Sequence, residues 1–403
     1  MLFSGIVNAA EPIKLGLVGP LTGPAANTGL TVRATWDLVA KRINAEGGLE
    51  IDGVKRPVEL IVADSQSKPN IGVGAAQKLL TRDRVDVLVG DLLHSDVALA
   101  LMELAPAYPD KVLYIPLPVS STISERIASS HEKYGNVWKW DGDSEAYGVS
   151  LADHLTKLGE SGKRNYPNKT YAIVSELTDF SDAIQKSVQG ELKASGWKQV
   201  AHESVPIGNT DFYSQLSKLK ALNPDVIISI FTAASSGLSF VKQFNEQGTK
   251  SENIAVYYAG LPAFRNGIGK DGNGLVFFGG AFDPRRSDRG KPFAKLLSEN
   301  NINVSGDAAL GYCSANVLFG AIQRAKSLKV QDLNRELLAT DDDTCPDYRR
   351  IVFDPKRHSP KLGPDYFFMT AGQMFDDGKD FYVFYPPKAA TGKLDELAAP
   401  GSK

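Results

Sequence analysis

Ile13-Lys14-Leu15-Gly16-Leu17-Val18 runs into Gly19-Pro20-Leu21-Thr22-Gly23-Pro24, and then Val32, Trp36, Val39, Ala40 and Ile43 recur at helical spacing until Gly47-Gly48. A short apolar run, a Gly/Pro loop and an amphipathic helix with a glycine stop make one strand–loop–helix unit. The unit repeats at once. Val58–Ala63, Val85–Val89 and Val112–Pro116 read as strands, with helices over Ile71–Leu80 and Val97–Ala105 between them. Apolar strands alternating with amphipathic helices build a parallel sheet covered on both faces.

The pattern restarts further on. Val137–Trp140 is strand-like and opens a second set: helix Ser144–Leu158, strand Tyr171–Val174, helix Ser181–Ala194 and an edge-type strand Gln199–Val205. Helix Phe212–Leu222, strand Val226–Phe231, helix Gly237–Gln247 and strand Ile254–Tyr258 complete it. The fold class expected is therefore α/β, with two doubly wound, Rossmann-like lobes. After Gly260 the chain is mixed, with strand Leu275–Phe278 and helices over Lys291–Glu299, Ala308–Lys326 and Val330–Ala339. From Tyr348 polar and apolar residues alternate around turns at Asp354-Pro355 and Asp376-Asp377-Gly378, which predicts antiparallel strands.

Composition narrows the function. The chain has 403 residues, 42% apolar and 23% charged, with 45 Lys and Arg against 47 Asp and Glu, a net charge of −2. Nothing there provides the basic face of a nucleic-acid binder. No apolar run approaches the ~20 residues that span a bilayer, so no membrane insertion is expected. Charge and composition give no reason for an obligate oligomer, and a monomer is expected. Met1–Ala10 (MLFSGIVNAA), ending in a small-x-Ala pattern at Val7-Asn8-Ala9, reads as the remnant of a secretory signal; without a basic segment ahead of it, a frayed terminus is the alternative. In an exported chain two free thiols would be unusual, so Cys313 and Cys345 are expected to form a disulfide.

Catalytic fingerprints are scarce. There is no GxxxxGK[ST], no GxSxG and no HExxH, and Gly72-Val73-Gly74-Ala75-Ala76-Gln77 puts Gln77 where a dinucleotide loop needs a small residue. His154 and His202 read as surface residues. His94, in a loop after a strand, is the one candidate general base. Asp341-Asp342-Asp343 reads as a solvated turn rather than a metal site. No catalytic residue, metal site or cofactor is assigned.

In open α/β sheets ligands sit beyond the carboxyl ends of the strands. The loops there carry His94 and Ser95, then Ser120, Ser121 and Thr122; in the second unit they carry Asp179 and Phe180, Thr232, and Gly260 with Leu261. Hydroxyls and free N–H groups at helix starts suit a small anion or acceptor, although each serine alone is equally a helix cap. Phe180 and Tyr147 are candidates for an apolar wall, or for the core.

The segments Ile13–Gly23 (IKLGLVGPLTG), Ile43–Gly48 (INAEGG), Leu60–Asp64 (LIVAD), Ala76–Gly90 (AQKLLTRDRVDVLVG) and Asn209–Asp225 (NTDFYSQLSKLKALNPD) resemble the type I periplasmic solute-binding proteins of ABC transporters, in the branch of leucine/isoleucine/valine- and amide/urea-binding members. The resemblance runs from about Glu11 to Tyr385. It implies two lobes joined by a three-crossover hinge that close on a small polar ligand and deliver it to an ABC permease, in the periplasm. It places a signal remnant at 1–10, lobe one at 11–134 and 264–343, lobe two at 135–263 and 344–387, and a flexible tail at 388–403. Ser95 with Ser121 or Thr122 would hold a carboxylate, and Phe180 would cover the ligand. The loop Ala259-Gly260-Leu261-Pro262 lacks the acid that amino-acid binders use for an ammonium, so an organic or aromatic acid or an amide joins amino acids as a candidate; Asp179 or Asp182 would substitute. A sensing module for a separate partner and an α/β enzyme using His94 are the alternatives. The site assignment predicts that Ser95→Ala and Ser121→Ala each weaken binding.

Overall fold

The computed structural model describes residues 10–398 apart from 280, 348, 364, 394 and 395. The expected signal remnant therefore lies outside the described residues except for Ala10, and so does much of the expected tail. Strands β1 (Ile13–Gly19), β2 (Val58–Asp64), β3 (Val87–Gly90), β4 (Val112–Ile115) and β5 (Val137–Lys139) form one parallel sheet in the order β2-β1-β3-β4-β5. Helices α1 (Ala26–Ala45), α2 (Pro69–Thr81), α3 (Ser95–Met102) and α4 (Ser121–Ser129) follow the first four strands. β3, β4 and β5 are buried along their whole length, as expected for strands sandwiched between helices.

The second sheet contains β6 (Thr170–Glu176), β7 (Lys198–Val205), β8 (Val226–Phe231), β9 (Glu252–Tyr257), β10 (Val276–Phe278), β11 (Ala371–Phe375) and β12 (Asp380–Tyr385). Its order is β12-β11-β10-β9-β8-β6-β7, parallel from β10 to β7 and closed by the antiparallel pair β11–β12. Helix α5 (Glu145–Glu160) enters it, and α6 (Asp179–Ala194), α7 (Tyr213–Leu222), α8 (Ala234–Gln247) and α9 (Pro262–Ile268) pack around it. Then α10 (Gly290–Glu299), α11 (Gly306–Ala325) and α12 (Val330–Leu338) return to the first sheet, where Phe293 and Leu297 join a cluster that includes Ala34 and Leu38 of α1.

Local chemistry sets the helix starts. Ser120 accepts from the Thr122 amide, Thr178 from Ser181 and Ser305 from Ala308, satisfying amides that the helices leave open. One apolar core runs through both lobes, and a second fills the other face of the first sheet between α2, α3 and α4.

Sheet membership moves the lobe boundaries. Val137–Lys139, expected to open lobe two, pairs with β4 on the edge of the first sheet, so the first crossing follows Lys139 rather than Tyr134. β10 pairs with β9, so the second crossing follows Phe278 rather than Phe264. The segment from Asp341 to Leu362, expected to begin lobe two after Asp343, packs on lobe one. Its Ile351–Val352 pairs with Asp341–Asp342, the Lys139 amide donates to the His358 carbonyl, and the His358 ring stacks on Trp138 at 3.9 Å. Pairing between distant segments decided all three. The described part of the tail is also held, not loose: Thr391 bonds to Val383, and Ala398 and Gln373 bond each other in both directions. Cys313 in α11 is bonded to Cys345 beyond α12, closing a sequence separation of 32 residues. In a loop-entropy account such a link adds about 4 kcal/mol.

Candidate functional site

A small, partly open cavity of about 20 Å³ lies where the two lobes meet. Lobe one gives it Leu93 after β3, Leu117 and Val119 after β4, and Leu310 from α11. Lobe two gives Phe180 at the start of α6, Tyr147 at the start of α5 and Tyr257 at the end of β9. The crossings supply Asp141, Arg349, Phe367 and Met369. Tyr147 packs edge-on against Phe180 at 6.4 Å between centroids, and Phe180 against Tyr257 at 5.8 Å. The walls are apolar and aromatic, and the charged side chains, Asp141 and Arg349, stand on the hinge side.

The first crossing is built around a buried cation. Lys139 is fully buried, and its Nζ donates to the carbonyls of Asp141 and Gly142, each at 2.7 Å, and to Asp143 Oδ1 at 3.0 Å. A buried ammonium is tolerated only when its donors are all engaged, and here the turn supplies the acceptors. Asp143 also accepts from Ser359 and pairs with Arg357, tying the first crossing to the third. Gly142 has no substitute in this turn, because the Phe367 ring occupies the place of a Cβ. The Asp141 carboxyl accepts from the Gly142 amide at 2.8 Å. Burial pushes its pKa up to about 7, against the pull of Lys139 and Arg349.

Arg349, 5% exposed, pairs through Nη1 with the Asp347 carboxylate and lies 4.7 Å from the Phe367 ring centroid. Its Nε is buried and has no hydrogen-bond partner among the described residues. Beside the cavity, the Tyr257 hydroxyl spans the lobes. It lies 3.1 Å from Thr28 Oγ1 of α1 and donates to Asp307 of α11 at 3.1 and 3.2 Å, while Thr28 donates to the same carboxylate at 2.9 Å. Burial raises the Asp307 pKa to about 6 against these hydrogen bonds. Tyr257 itself sits at φ 73°, ψ −64°, a conformation that costs a bulky residue about 1–3 kcal/mol and that surrounding contacts must enforce.

The residues expected at the site do not share one place. Phe180 lines the cavity. Thr232 and Leu261 line a separate outer cleft between α1 and lobe two, together with Thr28 and Asp307. The Thr232 amide and hydroxyl both donate to Glu176 at 2.6 Å, so neither is free for a ligand. Gly260 is buried in a turn over Tyr258–Gly260.

The lobe-one polar groups turn inward. His94 is buried, its Nε2 lies 2.9 Å from Ser67 Oγ, and burial lowers its pKa. Ser95 Oγ accepts from the Ser120 amide, and Ser120 Oγ caps α4 through Thr122. Ser121 Oγ lies 2.5 Å from Ser144 Oγ and donates to Glu145. The pKa of Asp179, across the lobe interface, is raised by burial, with the Ser120 hydroxyl opposing the shift and Asp96 adding to it; its Oδ2 is buried without a hydrogen-bond partner among the described residues. His154, expected on the surface, is buried against Phe278, Phe384 and Tyr385, and His202 is half-buried between Ser175 and Gln185. His94, the base that the enzyme reading expected, faces Ser67 and does not line this cavity.

A family model described as periplasmic binding protein matches residues 12–379. The Leu/Ile/Val-binding protein BraC3 of Rhizobium johnstonii is 25% identical over 319 residues, covering 79% of this chain and 81% of its own. The Leu/Ile/Val-binding protein homolog 7 of Brucella suis is 22% identical over 411 residues, covering 98% and 96%. Among solved structures, a putative branched-chain amino acid ABC transporter protein from Silicibacter pomeroyi superposes with a TM-score of 0.80 at 23% identity, over 97% of this chain and 100% of that one. An ABC-transporter solute binding protein from R. palustris in complex with benzoate superposes with a TM-score of 0.78 at 17% identity, over 95% and 98%. At these identities the structures establish a shared fold.

Proposed function

The chain belongs to the periplasmic binding protein family, and on that premise we propose that the cavity between its lobes captures a small solute for delivery to an ABC permease. It is a solute-binding protein of the ABC-transporter kind. The observation that carries the placement is that both lobes and the crossings wall one small cavity, with Tyr257 joining lobe to lobe beside it. Hinge closure would bury a ligand there, Phe180 and Tyr257 arriving with lobe two against Leu93 and Leu117 of lobe one. The relatives' ligands support a body of this kind, since the branched-chain amino acids and benzoate named for them each join an apolar group to a carboxylate.

The chain is proposed to act in the periplasm as a monomer and to release its ligand unchanged, a reading supported by its membership of a family of solute-binding proteins. A thermal-unfolding screen of amino acids, aromatic acids and amides tests the capture reading. A true ligand at a hundredfold excess over its dissociation constant stabilises by about 2.7 kcal/mol. Absence of any stabilised sample, together with an unchanged radius of gyration in X-ray scattering and no small molecule in native mass spectra, overturns it.

A further inference from the structure

We infer that Arg349, a residue of the third crossing, holds the carboxylate of the captured solute, in place of the hydroxyl-bearing loops of lobe one. The inference rests on the cavity being the ligand site and adds which atoms read the ligand and which way round it lies. The charged side chains on the cavity wall, Asp141 and Arg349, both stand at the hinge. The loops after β3 and β4, where hydroxyls face inward, offer the cavity Leu93, Leu117 and Val119. An anionic group placed against those leucines would be desolvated without a partner.

At Arg349 the opposite holds. Asp347 occupies one arm of the guanidinium, the Phe367 ring lies along it, and Nε is buried and unpaired. A buried N–H without an acceptor is a standing cost, and an oxygen entering the cavity relieves it. A guanidinium offers its Nε and Nη donors as a planar fork that matches the two oxygens of a carboxylate. The ligand therefore lies with its carboxylate toward the hinge and its apolar body among Phe180, Tyr257 and Leu117. Its class is a small monocarboxylate with a ring or branched body. Asp141, next to Arg349, accommodates either source of that chemistry: it pairs with the ammonium of an amino acid, or takes a proton when the acid has no amine.

Calorimetry with matched acids and amides separates these terms. Benzoate is set against benzamide and L-leucine against L-leucinamide, on the unaltered protein, on Arg349→Lys, and on the double variant Asp347→Asn with Arg349→Gln. The double variant removes both charges, so neither is left buried alone, and melting curves confirm that each variant folds. The expected result is that one acid binds at least tenfold more tightly than its amide, and that Arg349→Lys and the double variant each reduce that affinity at least tenfold while leaving the amide's unchanged. Preference for benzoate identifies an amine-free acid, and preference for leucine a zwitterion; both support the inference. An amide that binds as well as its acid overturns it, as does an Arg349→Lys protein within twofold of the original. If neither acid binds, the carboxylate assignment falls, and a co-purifying neutral solute in the native mass spectrum would show that the capture reading survives it.

Discussion

Two stretches of the lobe interface contain comparable numbers of polar groups and use them in opposite ways. The lobe-one loops around Ser95 and Ser120–Thr122 spend their serines on the protein: each serine hydroxyl caps a helix, braces a neighbouring loop or meets Glu145. The crossings around Asp141 and Arg349 also bury polar groups, yet leave a guanidinium nitrogen unpaired and a carboxyl whose proton is loosely held near neutrality. A group that looks available in sequence is consumed when its own backbone offers a nearer partner. A group that looks structural becomes available when the fold buries it beside space.

The largest expected effect that bears on this contrast comes from the wall. Phe180→Ala removes the ring shared by Tyr147 and Tyr257, and ligand affinity should fall by about 2–3 kcal/mol, read by calorimetry, as a buried aromatic face is lost. An unchanged affinity would move the ligand out of this cavity.

Proton linkage comes next. The Asp141 pKa is raised to about 7, so the closed state favours the protonated carboxyl, and that preference is lost as pH rises through 7. Binding of an amine-free anion should therefore take up a proton, and affinity should increase as pH falls from 8 to 6, by at most about 1.4 kcal/mol per pH unit. Lys139, Arg349 and Asp347 are the charged groups that face this carboxyl. Asp141→Asn should flatten the profile, and a slope of the reverse sign would mean that an ammonium neutralises Asp141 instead.

Tyr257→Phe deletes the hydroxyl between Thr28 and Asp307, leaving Thr28 still bonded to the carboxylate. Closure should weaken by about 1 kcal/mol, visible as a larger radius of gyration in X-ray scattering at equal ligand saturation. Smallest is Ser95→Ala, which removes one acceptor for the Ser120 amide. Stability should drop by about 1 kcal/mol in a urea melt, with ligand affinity within twofold. A larger loss of affinity would restore the hydroxyl loops as the binding surface and erase the contrast.

How far the sequence speaks follows the same division. Strands such as Ile13–Gly19 and Val226–Phe231 are legible because burial on both faces makes them largely apolar runs. Phe180 is legible because it starts a helix beyond a strand end, where ligands collect. The partner of Val137–Lys139 is not, since a short apolar strand fits either sheet until β4 takes it. Arg349 and Asp141 are not legible either. They lie in crossings without periodicity, and what distinguishes them, an unpartnered Nε among the described residues at Arg349 and deep burial of the carboxyl at Asp141, is recorded by no run of letters. Cys345, four positions before Arg349, is the nearest signal, since a bonded cysteine marks a crossing held in a fixed place.

That bond has a mechanical consequence. Cys313 belongs to a helix of lobe one, so the disulfide fastens the stretch carrying Arg349 to the lobe that stays with β1–β5. The guanidinium thus rides on the jaw that waits, while the rings of Phe180 and Tyr257 ride on the jaw that swings. Recognition of the head group is thereby separated in time from enclosure of the body. Reducing the bond would leave both jaws whole while letting the anchor drift relative to its own frame, so an oxidising surrounding tunes capture as well as durability.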